Sequence, residues 1–253
     1  VEPVAGDLSP WNQLLNHLFS GNVAMRQWFE QWVAYPIQHP GTKLTTAVVL
    51  WSTRQGVGKS MIGETIGNLY GSHSRTVTSK ELYGKYNGWM RDCQFIVGEE
   101  NSRSNHRADA DRLKVLITGE TQFVEEKFQP AIELNNCMNM LFTSNHSDAF
   151  FLEDADRRFF IWEIVADRLP NESYGNFVRW RDEEGGLAAL MAHLLTVDLT
   201  GFLPKVNAPV TEAKMEMIQQ SKSDVERWMT ECLDDVASIR ALFGREIVHL
   251  KDL

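Results

Sequence analysis

The chain has 253 residues, 43% of them hydrophobic, three cysteines and a formal net charge of −9. This is ample apolar material for one α/β domain with helical additions, whereas the scattered Cys93, Cys137 and Cys232 exclude a disulfide framework and a Cys-based zinc site, and no apolar run is long enough to span a bilayer. The acidic balance excludes a uniformly basic nucleic-acid coat but leaves room for a local basic track; without a spanning run or a secretion signal the chain reads as soluble and intracellular, and its start at Val1 reads as a fragment or a processed chain.

Met25, Trp28, Phe29, Trp32 and Val33 recur at helical spacing, which predicts an amphipathic helix over residues 22–35 with an aromatic face toward the core. "PIQHPGTK" breaks that pattern with two prolines and a glycine and places a boundary there. Next, "TTAVVLW" reads as a buried strand, "TRQGVGKS" as a loop and "SMIGETIGNLYG" as a helix stopped by Gly71. Strand, glycine-bearing loop and helix form the setting in which backbone N–H groups and a helix N-terminus gather phosphates. The nucleotide-binding residues are then Gln55, Gly56, Val57, Gly58, Lys59 and Ser60, with Lys59 reaching the β- and γ-phosphates and the Ser60 hydroxyl meeting Mg²⁺. Thr53 stands where the usual pattern has its first glycine, which alters the opening turn without abolishing the site.

"CQFIVGEEN" is a short strand with Glu99 and Glu100 at its C-terminal end, where open α/β sheets hold their ligands. Alone, such a pair is a solvated loop start. After a phosphate loop it suits Mg²⁺ positioning by Glu99 through water and activation of the attacking water by Glu100. Residues 108–118 read as a helix with Leu113, Leu116 and Ile117 on one face, stopped by Gly119. "TQFVEEKFQPAIEL" then reads as a hairpin with Lys127, Phe128 and Pro130 at its tip, a cation and an aromatic suited to a nucleic-acid strand. "CMNMLFTSN" is a further strand and ends in Asn145, which suits the γ-phosphate or its attacking water. In "DADRRFFIWEI" the pair Arg157 and Arg158 precedes another strand, and arginine stabilises charge on a transferring phosphoryl group. Beyond Val165 the chain turns helical, with "RWRDEEGG" as a solvated helix end and loop.

In this order the motifs "QGVGKS", "YNGWM", "VGEEN", "DADRLKVLITGE", "VEEKFQP", "FTSN" and "DRRFFIWEI" resemble the superfamily 3 helicases of the AAA+ class, and within them the phage primase-helicase group. The resemblance covers about residues 12–230 and implies an α/β fold. Its AAA+ P-loop NTPase core, residues 43–168, would hold a mainly parallel sheet between an N-terminal helical segment, residues 1–42, and a C-terminal helical region, residues 169–253. It implies an ATP-hydrolysing DNA helicase using Mg²⁺, with Lys59 and Ser60 as the Walker A pair, Glu99 and Glu100 as the Walker B pair and Asn145 as the sensor. Arg158, with Arg157 second, would be the arginine supplied to a neighbouring subunit, and Lys127 with Phe128 the hairpin that grips single-stranded DNA at a replication fork. A homo-hexameric ring, a covalently linked N-terminal primase or polymerase region, no membrane and the cytoplasm of an infected host are further implications. Six copies of Lys127 facing one channel would reconcile an acidic chain with DNA.

Other classes remain open at this point. A ring or monomeric ATPase that remodels or loads proteins would lack the hairpin's contact with DNA. A GTPase is suggested by "NHSD" at residues 145–148, but His146 stands where lysine is expected. A small-molecule kinase leaves the paired acids, Asn145 and the arginines unexplained together. A nucleotide-binding scaffold would hydrolyse slowly and form no ring.

Overall fold

The computed structural model describes residues 1–99, 107–223 and 225–229. Two helices, α1 (Ser9–Phe19) and α2 (Val23–Gln38), precede β1 (Ala47–Trp51) and α3 (Lys59–Tyr70). There follow β2 (Ser74–Val77), the short α4 (Ser79–Leu82), β3 (Phe95–Gly98), α5 (Arg107–Thr118), the hairpin β4 (Thr121–Val124) and β5 (Ile132–Asn135), β6 (Asn139–Ser144) and β7 (Phe159–Glu163). The helices α6 (Asn171–Asp182), α7 (Gly186–Leu194) and α8 (Glu212–Ser221) complete the order.

Five strands form one sheet in the order β2-β3-β6-β1-β7, and every neighbouring pair is parallel. All their C-terminal ends therefore lie along one edge. The expected parallel α/β fold is what the chain adopts. The sheet is covered on both faces, as parallel sheets require. Val48, Leu50, Val97, Leu141 and Phe160 face a core shared with α1, α2, α3, α6 and α7. The alternate residues Val49, Ile96, Met140, Phe142 and Ile161 face a second core with α5 and α8. This two-residue alternation within continuously apolar strands is how "AVVLW" and "NMLFTS" serve both layers.

The local signals explain most boundaries. Asn22 caps α2 by accepting from the Met25 N–H at 3.1 Å. Its C-terminus differs from expectation: α2 runs through Pro36 to Gln38. Pro36 lies in the final turn, so it deprives the helix of one hydrogen bond without interrupting a long run. The long amphipathic stretch after Val165 is split into α6 and α7 by a turn in which Gly185 takes φ +78°. α1 falls within the expected N-terminal helical segment without having been given bounds, and β2 was not anticipated. Trp11, Leu14, Leu15 and Leu18 carry a helical period and are buried, whereas "SRTV" is an edge strand with two exposed residues and little periodic signal. Among the described residues no helix is long and apolar enough to cross a membrane.

Candidate nucleotide site and hairpin

Residues 52–58 connect β1 to α3 at the C-terminal edge of the sheet. Gly56 takes φ +74° and Gly58 takes φ +102°, conformations that side chains resist. They let the loop turn sharply into α3, which begins at Lys59 with Gly58 as its N-cap and no side-chain cap, so the helix N-terminus directly follows the glycine loop. Lys59 is buried, and its Nζ donates to the carbonyls of Ser52 at 3.2 Å and Arg54 at 3.1 Å. Burial holds its pKa below the ordinary lysine value. An ammonium held by two neutral carbonyls in a half-closed loop is poised to exchange them for an anion.

Thr53 needs no glycine. Its φ is not positive, so the opening turn imposes no left-handed residue. Instead the Ser52 hydroxyl accepts from the Arg54 N–H at 3.2 Å, and Arg54 Nη1 reaches the Val165 carbonyl at 2.9 Å and Asp167 Oδ1 at 2.6 Å. The Leu169 N–H donates to the Gly56 carbonyl at 3.1 Å. The segment following β7 thus braces the loop from outside.

The neighbouring strand ends supply the remaining polar groups. Ser52 N–H donates to the Ser144 carbonyl at 3.2 Å, and a cleft of about 390 Å³ opens between Thr53 and the Asn145 to Asp148 turn, with Gln220 on its far wall. Asn145 therefore shares a cleft with the loop. Glu99 follows β3 directly and is half-buried, its N–H donating to the Val77 carbonyl at 3.2 Å. Glu100 lies outside the described residues. Ser60 is exposed on the first turn of α3. A hydroxyl on the first turn of α3 and a carboxylate at the same edge of the sheet are ligand types that Mg²⁺ takes, the ion keeping several waters and drawing most of its other ligands from phosphate oxygens.

Arg157 and Arg158 are elsewhere. Both precede β7, which runs parallel to β1 with Phe159 level with Ala47, so they stand at the sheet edge opposite the phosphate loop. Arg157 is exposed. Arg158 is partly buried, and its Nη1 donates to Asp156 Oδ2 at 3.0 Å.

The hairpin forms where the sequence places it, with Thr121 opposite Asn135 and Val124 opposite Ile132. At its tip Phe128 is fully exposed in a left-handed conformation, φ +64°. Lys127 Nζ lies 5.6 Å from the centre of the Tyr86 ring, and Lys85 Nζ lies 5.8 Å from the same ring. Asn87 anchors this neighbouring segment: its Nδ2 donates to the Phe123 carbonyl at 2.8 Å and its Oδ1 accepts from the Glu125 N–H at 2.7 Å. Two lysines and two exposed aromatics thus share one patch. Sequence reasoning named Lys127 and Phe128 but missed Lys85 and Tyr86, although "KYNGWM" carried the signal of clustered aromatics and a cation. It also missed Arg54 and Arg168, the latter lying close enough to Gly56 that a Cβ there would meet its side chain at 3.0 Å.

Comparison with known proteins gives three findings. The profile of a family of unknown function, DUF5906, matches residues 50–158, the stretch from β1 to the arginine pair. The "DNA Primase-polymerase" of Nitratiruptor phage NrS-1 is 25% identical over 244 residues, covering 93% of this chain and 33% of that protein. The chain therefore spans about a third of the length of the curated relative it matches. Among solved structures, an apo structure of the NrS-1 C-terminal region matches with a TM-score of 0.76 at 21% identity, over 100% of this chain and 62% of that one. A second apo form of the same region gives 0.73 at 21% identity, over 95% and 60%. The chain is thus related in sequence to a phage replication protein, and its fold is that of the relative's C-terminal region.

Proposed function

We propose that this chain is an ATP-driven DNA helicase or translocase domain of a phage-type replication protein. The observation that carries the reading is the phosphate loop at the C-terminal edge of a parallel sheet, with Gly56 and Gly58 in left-handed conformations, Lys59 at its mouth and Asn145 across a shared cleft. The ends of β6 and β3, successive strands on one side of β1, bear polar groups of the kind that phosphoryl transfer to water needs. Backbone N–H groups of residues 55–60 hold the phosphates, and Lys59 leaves its two carbonyls for the β- and γ-oxygens. Asn145 orients the attacking water, and Glu100 takes its proton. Ser60, and Glu99 through water, would hold Mg²⁺, which would supply charge neutralisation at the phosphate oxygens.

Arg158 and Arg157 lie at the far edge of their own sheet, so they serve a neighbouring copy in this reading, which favours a ring, a homo-hexamer by family resemblance. The Lys127 and Phe128 tip, with Tyr86 beside it, grips single-stranded DNA at a fork, phosphate on the cations and bases on the rings. The relative's name and greater length support a linked N-terminal primase or polymerase region.

ATP hydrolysis is measured against protein concentration, with and without single-stranded DNA, for the parent chain, Lys59→Ala, Arg158→Ala and Lys127→Ala. The motor reading expects turnover that rises steeply with concentration, vanishes in the first two variants and loses only its DNA stimulation in the third. Turnover indifferent to concentration, DNA and Arg158 would leave a non-motor ATPase.

A further inference from the structure

The anion that holds the Arg158 side chain is shared with a second cation. Asp156 is buried, and its two oxygens have different partners. Oδ1 accepts from the backbone N–H groups of Arg158 at 2.9 Å and Phe159 at 3.2 Å, so main-chain donors fix the carboxylate in place. Oδ2 accepts from Arg158 Nη1 at 3.0 Å. The Arg158 side chain is 24% exposed, and its buried Nε has no hydrogen-bond partner among the described residues. One charge-assisted bond thus ties the guanidinium to Asp156, while separate bonds hold the turn beneath it. The side chain can leave without the backbone moving.

Lys214 stands against the same carboxylate. Its side chain is 2% exposed, its Nζ lies 3.7 Å from Asp156 Oδ1, and that nitrogen has no hydrogen-bond partner among the described residues. At this separation the charges attract, but no hydrogen bond has formed. The backbone beneath Lys214 is anchored: the Thr211 hydroxyl accepts from the Lys214 N–H at 3.1 Å at the start of α8 and donates to the Ile161 carbonyl of β7. Two cations therefore face one buried anion. Burial lowers the pKa of Lys214, Asp156 opposes that shift and Arg158 adds to the lowering. A buried ammonium without a hydrogen bond carries a desolvation cost, which an approach of about 1 Å to Asp156 would remove. In this arrangement Arg158 already occupies the carboxylate.

We propose that Lys214 is a positioning residue for Arg158: when the guanidinium leaves Asp156 for the phosphates held by a neighbouring copy, Lys214 closes on the carboxylate it has left. The proposal rests on the reading of Arg158 as an arginine supplied to a neighbour, and it adds how the donor subunit releases that arginine. Without Lys214, release strands a buried carboxylate that has lost its cation, a state strongly disfavoured. With Lys214 in place, the anion stays paired in both positions of the arginine. The lysine also repels the guanidinium before release, which weakens the hold of Asp156.

The test is ATP hydrolysis by the full chain in Mg²⁺, at a protein concentration where turnover per subunit no longer rises. kcat and KM are read separately for the parent, Arg158→Ala, Lys214→Met and the double variant Asp156→Asn with Lys214→Met. Lys214→Met is expected to lower kcat roughly tenfold or more, about the weight of one hydrogen bond to a charged group. KM for ATP should not change, because the phosphate loop lies at the opposite edge of the sheet. In the double variant the amide oxygen at position 156 still accepts from the two backbone N–H groups, but no buried anion retains Arg158, so most of the lost kcat should return. A merely structural role for Lys214 predicts no such recovery. If Lys214→Met misfolds, the double variant, which removes both buried charges, still decides: kcat near the parent's supports the hand-over, and kcat as low as that of Arg158→Ala overturns it. Parental kcat in Lys214→Met, with turnover abolished in Arg158→Ala, overturns the hand-over and leaves the role of Arg158 intact. Parental kcat in Arg158→Ala removes the reading of that arginine and the hand-over with it.

Discussion

Asn87 holds Glu125 from both sides: its backbone N–H donates to the Glu125 carbonyl at 3.1 Å, and its side-chain oxygen accepts from the Glu125 N–H at 2.7 Å. With the third bond to the Phe123 carbonyl, this buried side chain couples the Tyr86 segment to the tip end of β4. Asn87→Ala leaves an N–H and a carbonyl of β4's edge unpaired, at a cost of about 2–4 kcal/mol. Urea denaturation checks the loss of stability. Single-stranded DNA binding should fall with it while ATP binding is retained, because the nucleotide loop shares none of these bonds.

Lys59→Met separates binding from folding. The substitution removes a charge whose burial disfavours it, and replaces it with an apolar stem of similar length. Thermal stability is expected to hold or rise. Nucleotide affinity is expected to fall by roughly 10- to 100-fold, the weight of a charge-assisted contact to phosphate. A variant that unfolds and binds normally when refolded would contradict both halves.

Thr53→Gly should depart from a motif-based expectation, and Gly58→Ala should follow it. Restoring the missing loop glycine changes ATP affinity little, since Thr53 holds an ordinary backbone conformation and Arg54 already braces the turn. It should cost about 0.5–1 kcal/mol through unfolded-chain entropy. Gly58→Ala meets φ +102° and the Leu14 methyl at 3.0 Å, and should cost about 1–3 kcal/mol. Paired denaturation and titration curves test the ranking.

Asp156 serves two cations. Its oxygens accept from the Arg158 N–H at 2.9 Å, Arg158 Nη1 at 3.0 Å and the Phe159 N–H at 3.2 Å, and buried Lys214 Nζ lies 3.7 Å away. Asp156→Ala leaves both cations without their anion, and a loss of about 3–5 kcal/mol is expected. Asp156→Ala combined with Lys214→Met should recover part of that loss in a double-mutant cycle.

Lys43 is buried four residues before β1 with its Nζ donating to the Met138 carbonyl, and burial pushes its pKa down to about 7. Between pH 7 and the ordinary lysine range the unfolded chain binds more protons at this residue than the folded one, so stability rises with pH across that window. Melting temperatures of the parent should climb from pH 7 toward pH 10. In Lys43→Met the climb should be shallower, and equal slopes would show that this lysine is charged when folded.

Much of this protein was legible in its chain. The period of "AVVLW" and "NMLFTS", the glycines of residues 56–58 and the turn after Val124 fixed strands, loop and hairpin because each signal is local, set by backbone freedom and by which faces must leave water. Short-range pattern also named Lys59, Asn145, Lys127 and Phe128. The rest depended on distance in sequence. That the turn at Thr53 is braced follows from Arg54 reaching Asp167, that Arg158 faces away from its own loop follows from the parallel pairing of β7 with β1, and that Leu14 ends beside Gly58 follows from α1 folding onto α3's entrance. None of these contacts has a periodic or compositional trace, since a single side chain meeting a remote backbone leaves no repeat to read. Local propensity determined the elements, and the packing of helices from both ends of the chain against one sheet face decided which residues meet around the loop.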